Sequence, residues 1–179
     1  MTTRILFLHG LEGSPQGHKA TWLRNAGFDV TAPALATGAI LPLLSVGMPP
    51  LPEAAFAEAL ATARAALEQA RPEVLVGSSF GGGLAVELVH RGAFDGPLVL
   101  LAPAAKRLFG RAGLPRTHGR AVVLHGRSDD VVPVGDSVEL ASRSRGEVHL
   151  CLVDDDHRLT ASVDAGLLGR LVRFAVSEG

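Results

Sequence analysis

Six short, almost unbroken apolar runs punctuate the chain, at 4–9 (RILFLH), 28–32 (FDVTA), 73–78 (EVLVGS), 97–102 (PLVLLA), 120–126 (RAVVLHG) and 147–153 (EVHLCLV). A strand buried on both faces needs apolar residues at consecutive positions, so these runs predict the strands of a parallel sheet. Between them the period changes. Residues 18–26 form a short helical pattern closed by Gly27, a residue suited to the position just past a helix. Over 53–71, Phe56, Leu60, Ala63 and Leu67 fall on one helical face. GGLAVELVHRG follows the third run as a helix, and Asp136 with Glu139 has the spacing of a capping box. That box would open a helix ending near Gly146, and a last helix would turn Leu167, Leu168, Leu171, Val172 and Phe174 toward a core. Alternating strands and helices predict a doubly wound, mostly parallel sheet of about six strands in a three-layer α/β/α sandwich. With 179 residues, no internal repeat and no linker, a single domain over 1–179 is expected.

In sheets of this kind the site lies at the carboxyl ends of the strands. Two irregular stretches, 33–52 and 103–119, follow such ends and are expected to border it. The first is unusually apolar between Gly38 and Met48. It reads either as a buried connection or homodimer contact, or as an acyl-binding wall or lid built from Leu41, Leu44 and Met48.

Composition narrows the class. A net charge of −1 without long runs of one sign gives no nucleic-acid surface. The single Cys151 excludes an internal disulfide and reads as a small core residue of the sixth strand. The first apolar run is too short for a signal-peptide core, and the region 38–52 holds four prolines, against a membrane span. The expectation is a cytoplasmic protein. Lys106, Arg107, Arg111, Arg116 and Arg120 concentrate charge in or near the second irregular stretch. They read as a solvated face, with recognition of a substrate carboxylate or phosphate as the alternative.

The chemistry centres on Gly77-Ser78-Ser79-Phe80-Gly81, set between a strand and a helix. Small flanking residues permit a sharp turn that lifts the central Ser79 hydroxyl clear of the sheet at a helix N-terminus. A serine hydroxyl attacks only when a base takes its proton. After the fifth strand run come Asp129 and Asp130, either of which can orient an imidazole; after the sixth comes His157. Asp154, Asp155 and Asp156 fit no metal-ligand spacing and read as a solvated loop cluster, with one of them capping the final helix. His9 and His125 read as structural residues bonded to loop backbone; His18, His90, His118 and His149 as surface or helix-face residues. HGLEGS lacks the glycine spacing of a dinucleotide or phosphate loop, and no cofactor or metal is expected.

GSSFGG, HGRSDDVVP and DDDHRL, each at a strand end, resemble the α/β-hydrolase superfamily, whose triad runs Ser…Asp…His in chain order. The opening RILFLHGLEGSPQGHKA resembles that superfamily's small capless bacterial esterases of the YqiA type. Carried over by position, the resemblance implies Ser79 as nucleophile, His157 as general base and then acid, and Asp129 as the orienting acid in preference to Asp130. The backbone N–H groups of Phe80 and Leu11 would form the oxyanion hole, and no cap domain is expected.

The function expected is a serine hydrolase that cleaves a carboxylic ester or thioester of a small to medium acyl group through an acyl-enzyme. The other readings are a non-catalytic binding or signalling protein on the same fold, and a serine peptidase. A haloalkane hydrolase is disfavoured, since it would want an aspartate where Ser79 stands.

Overall fold

Each of the six apolar runs forms a strand, and every pairing is parallel. The computed structural model describes residues 2–45, 50–117 and 119–177. In chain order the elements are β1 (Arg4–Leu8), α1 (His18–Asn25), β2 (Asp29–Thr31), α2 (Ile40–Ser45), α3 (Glu53–Ala70), β3 (Val74–Ser78), α4 (Phe80–His90) and β4 (Leu98–Leu101). They continue as α5 (Ala105–Phe109), β5 (Ala121–Gly126), α6 (Val134–Arg143), β6 (Val148–Val153), α7 (Thr160–Asp164) and α8 (Leu167–Val176).

The strand order β2-β1-β3-β4-β5-β6 contains one reversal. The chain steps from β1 outward to β2, returns across β1 to β3, then advances to β6. Right-handed crossovers therefore place α1 on one face and α3, α4 and α6 on the other. α7 and α8 close the first face, completing the three-layer sandwich. Alternation along each strand divides its residues between two cores. Leu6, Leu8, Leu75, Leu98, Leu100 and Val123 meet α3 to α6; Ile5, Phe7, Val74, Val76, Val99 and Leu124 meet α1 and α8. That is why the runs are continuously apolar. Each such fully buried Leu or Val contributes about 1.5–3 kcal/mol relative to exposure. The reversal opens a crevice at the carboxyl ends of β1 and β3, where Leu8 pairs with Gly77.

Four features depart from the sequence expectation. The stretch 33–52 carries the short helix α2, with Ile40 fully buried and Pro42 in the first turn, where no intrahelical donor is needed. The stretch 103–119 carries α5, whose Phe109 ring packs edge-on against Phe56 at 4.7 Å. Asp136 and Glu139 do not form a capping box. α6 starts after Pro133, three residues earlier than that box requires, and both carboxylates instead hold Lys106, at 3.4 and 2.7 Å. Phe174 faces outward, 41% exposed, beneath the Arg120 guanidinium and edge-on to His149, because the inward row of α8 runs through Leu168, Val172 and Ala175.

The charged stretch is largely paired internally. Arg111 forks onto both oxygens of Glu87 on α4, at 2.7 and 3.2 Å, and Arg91 adds a contact at 2.8 Å. Arg120 pairs with Glu147, and Arg107 donates to Val131 O. Glu87 is 3% exposed within an otherwise apolar helix, so its charge survives only through these guanidiniums. Burial alone would raise its carboxyl; Arg111 and Arg91 outweigh burial and hold it below the ordinary value of 4.5. Its stabilising contribution is thus present above that pH and lost as pH falls through the depressed folded value. Glu87→Ala should destabilise by on the order of 3 kcal/mol at neutral pH, and the difference from wild type should shrink in acid. Denaturant midpoints at pH 7 and in acid check this; a constant difference would rule it out.

Candidate active site

Four loops meet at the crevice, from the carboxyl ends of β1, β3, β5 and β6. Ser79 joins β3 to α4 at φ 54°, ψ −114°, a region a side chain adopts only under local constraint. The constraint is visible. Ser79 N–H donates to Leu101 O at 2.8 Å, and Ser79 O accepts from Gly83 N and Ala104 N, each at 3.0 Å. The flanking glycines allow backbone to touch backbone. A Cβ on Gly81 would lie 2.1 Å from Leu8 O, and one on Gly77 2.5 Å from Gly81 O. The Ser79 hydroxyl makes no cap hydrogen bond to α4; it stands 3.1 Å from His157 Nε2.

The other face of the His157 ring completes the row. Its Nδ1 donates to Asp129 Oδ2 at 2.7 Å. Asp129 Oδ1 accepts the backbone N–H groups of Val131 and Val132 at 2.9 and 2.8 Å. The Asp129 side chain is wholly inaccessible, and that of His157 is 20% exposed. Burial would raise the Asp129 carboxyl, but the His157 N–H and the two amides more than offset it and hold it below the usual carboxylate range. Asp130, its rival, is exposed.

The histidine loop is built to stay in place. Leu159, two residues on, is fully buried in the left-handed region at φ 56°. Asp155 accepts from Asp156 N and Ser162 N, the latter in the first turns of α7, and Asp156 accepts from Arg158 N. Lys19 Nζ donates to Arg158 O at 2.6 Å from α1. So two members of the acidic run organise the loop, and Asp154 is exposed beside Arg127. Among the described residues, no three His, Cys, Asp or Glu stand where they could hold a metal ion.

Loop β1–α1 lies against the serine. A Cβ on Gly10 would be 3.4 Å from Ser79 Cβ. His9 accepts Leu35 N–H at Nε2, 3.1 Å, so its Nδ1 carries the proton and donates to Gly10 O at 2.7 Å. The carbonyl of the next residue, Leu11, accepts from Thr37 Oγ1 at 3.1 Å. Phe80 opens α4 and is fully buried. Leu44 is half-buried against the core containing Phe80, and Leu41 is 44% exposed on the same short helix. Met48 and His118 lie outside the described residues. His18 pairs with Asp164, and His90 and His149 are exposed. His125, expected as a structural residue bonded to loop backbone, does donate to Val132 O at 3.0 Å; its fully buried ring also lies against the acid, which the sequence reading did not anticipate.

The family model that matches is described as an uncharacterised protein family, UPF0227, over residues 4–109. The chain belongs to the UPF0227 family. The match takes in the β1 loop and Ser79 and stops short of Asp129 and His157. No curated protein matches the chain. Its structure is similar to that of a candidate hydrolase from Agrobacterium vitis S4, at 19% identity and TM-score 0.72, covering 98% of this chain and 88% of that one. Mouse alpha/beta hydrolase domain-containing protein 10 aligns at 18% identity and TM-score 0.72, over 96% and 88% of the two chains. A structure from work on the metagenome-derived lipolytic enzymes LipS and LipT aligns at 18% identity and TM-score 0.66, over 96% and 92%. This UPF0227 chain thus has the α/β-hydrolase fold in a small, capless form. None of its described helices is long and apolar enough to cross a membrane.

The contact between the β5 and β6 loops admits a direct check. A Cβ on Gly126 would lie 2.3 Å from Asp155 O and 2.6 Å from Asp156 O, whereas one on Gly135 meets nothing within 4 Å. Gly126→Ala should therefore cost about 1–3 kcal/mol through overpacking, while Gly135→Ala should be neutral or stabilising. Equal denaturation midpoints for the two variants would show that the loops do not approach this closely.

Proposed function

We propose that this protein is a serine hydrolase acting on a carboxylic ester or thioester of a small to medium acyl group. The observation that carries the reading is the row Ser79 Oγ, His157 Nε2, His157 Nδ1, Asp129 Oδ2, with contacts of 3.1 and 2.7 Å. A partner on Nδ1 that can only accept leaves Nε2 free to take the serine proton.

His157 removes the proton from Ser79 Oγ as the oxygen attacks the acyl carbon. The tetrahedral oxyanion is stabilised by the backbone N–H groups of Phe80 and Leu11. His157 then gives that proton to the leaving alcohol or thiol, and Ser79 carries the acyl group. Water repeats the sequence: His157 takes its proton, hydroxide adds, and the acid departs as Ser79 regains its hydrogen. The buried, anionic Asp129 stabilises the transient imidazolium. Leu41 and Leu44 form the acyl-side wall in this reading, supported by the exposed Leu41 on α2 and by the tie from Thr37, just before α2, to Leu11. The lipolytic neighbour supports an ester substrate by analogy of fold.

Intact mass after incubation with a fluorophosphonate tests the serine. One adduct is expected on wild type and none on Ser79→Ala; a folded wild type that takes none would leave a binding protein on the hydrolase fold. Turnover of a p-nitrophenyl ester tests the acid. Asp129→Asn should lower kcat by roughly 10⁴, and Asp130→Asn should leave it unchanged. The reverse outcome would transfer the role to Asp130.

A further inference from the structure

The row of polar side chains in contact does not stop at Asp129. His125, the penultimate residue of β5, has a ring with no exposed surface. Its Nε2 donates to Val132 O at 3.0 Å and stands equally close, 3.0 Å, to Asp129 Oδ2. Both neighbours only accept, so the proton sits on Nε2. Nδ1 is then the acceptor and takes the hydroxyl hydrogen of Ser137, 2.7 Å away and itself fully buried on α6. Five side chains, Ser137, His125, Asp129, His157 and Ser79, are therefore in successive polar contact from α6 to the candidate nucleophile, through hydrogen bonds at every link but that between His125 and Asp129.

We propose that His125 is a positioning residue that fixes the orientation of the Asp129 carboxylate. This rests on the serine-hydrolase reading above. Two imidazole nitrogens contact the same oxygen, Oδ2, from different sides, while two amides hold Oδ1. The second hold is indirect as well: His125 accepts nothing from Val132 but donates to its carbonyl, and the N–H of that same residue donates to Asp129 Oδ1. Removing the ring would loosen both oxygens at once. During the reaction His157 gains and loses a positive charge, so its pull on Oδ2 changes at each step. His125 takes no part in proton transfer and can keep the carboxylate still. Packing does not account for an imidazole here. The neighbouring β5 residues Val122, Val123 and Leu124 are apolar and fully buried, and a polar ring at such a position is costly unless its bonds are used.

The test compares two amides. Glutamine can place a side-chain N–H close to where Nε2 stands, whereas asparagine is too short and reaches only the Nδ1 side. His125→Asn should lower kcat for a p-nitrophenyl ester by about 10–100-fold, as loss of an outer orienting partner does elsewhere, with KM little changed. His125→Gln should recover most of kcat. The downfield proton resonance of the His157–Asp129 hydrogen bond should shift or broaden in His125→Asn and return in His125→Gln. Thermal melts confirm that both variants are folded. Folded variants with equal, wild-type kcat and an unmoved resonance would overturn the proposal. So would equal losses in both, which is the signature of a merely structural ring. Failure of the underlying reading looks different: wild type would then take no fluorophosphonate adduct and turn over no ester.

Discussion

The close approach of the start of α4 to the ends of β1 and β3 is the constraint on which the site depends. Gly77 and Gly81 permit it, since any Cβ there would strike backbone rather than a yielding side chain. Bringing a helix end this near a parallel sheet leaves Ser79 no ordinary conformation. It sits in a strained region costing on the order of 1–3 kcal/mol and is pinned there by bonds to Leu101, Gly83 and Ala104. With the serine immobile, the remaining loops need only be brought to it. The sheet does this by its order: β1 and β3 part company at the crevice, and β5 and β6 lie successively farther out.

Around that fixed point the polar groups are graded by burial. The Asp129 side chain has no exposed surface and is surrounded by donors, whereas its chain neighbour Asp130 is exposed and held by none of them. This contrast distinguishes two otherwise identical side chains. An anion in a dry, preorganised setting stabilises a nearby developing cation far better than one dispersed in water. The histidine loop is correspondingly stiff, tied by Asp155 to α7, by Lys19 to α1 and by buried Leu159 to the core.

Much of this was legible in the sequence, for reasons that can be stated. The strands depend on consecutive apolar residues, and the elbow on a local turn; both signals lie within a few residues of each other. The helices α2 and α5 were not legible, because six or five residues offer too little periodicity to separate helix from loop. The Asp136–Glu139 spacing suited a capping box equally well, but the cation of Lys106, thirty residues away along the chain, claimed both carboxylates. Phe174 was misjudged because its surroundings, Arg120 just before β5 and His149 on β6, reach it only by folding. The positions of Ser79, Asp129 and His157 were anticipated as candidates; their mutual distances, and the ring of His125 behind the acid, needed the closed loops of β5 and β6.

β6 has a neighbour on one side only. The residue that would supply the base therefore follows an edge strand of the sheet, while the serine rises from a strand bonded on both sides. Fraying is easiest at such an edge. The ties from Asp155 to α7, from Lys19 to α1 and of Leu159 to the core are what hold His157 in place beside that edge. The persistence of the fold and that of the site are then two separate quantities, the second resting on a few bonds outside the sheet.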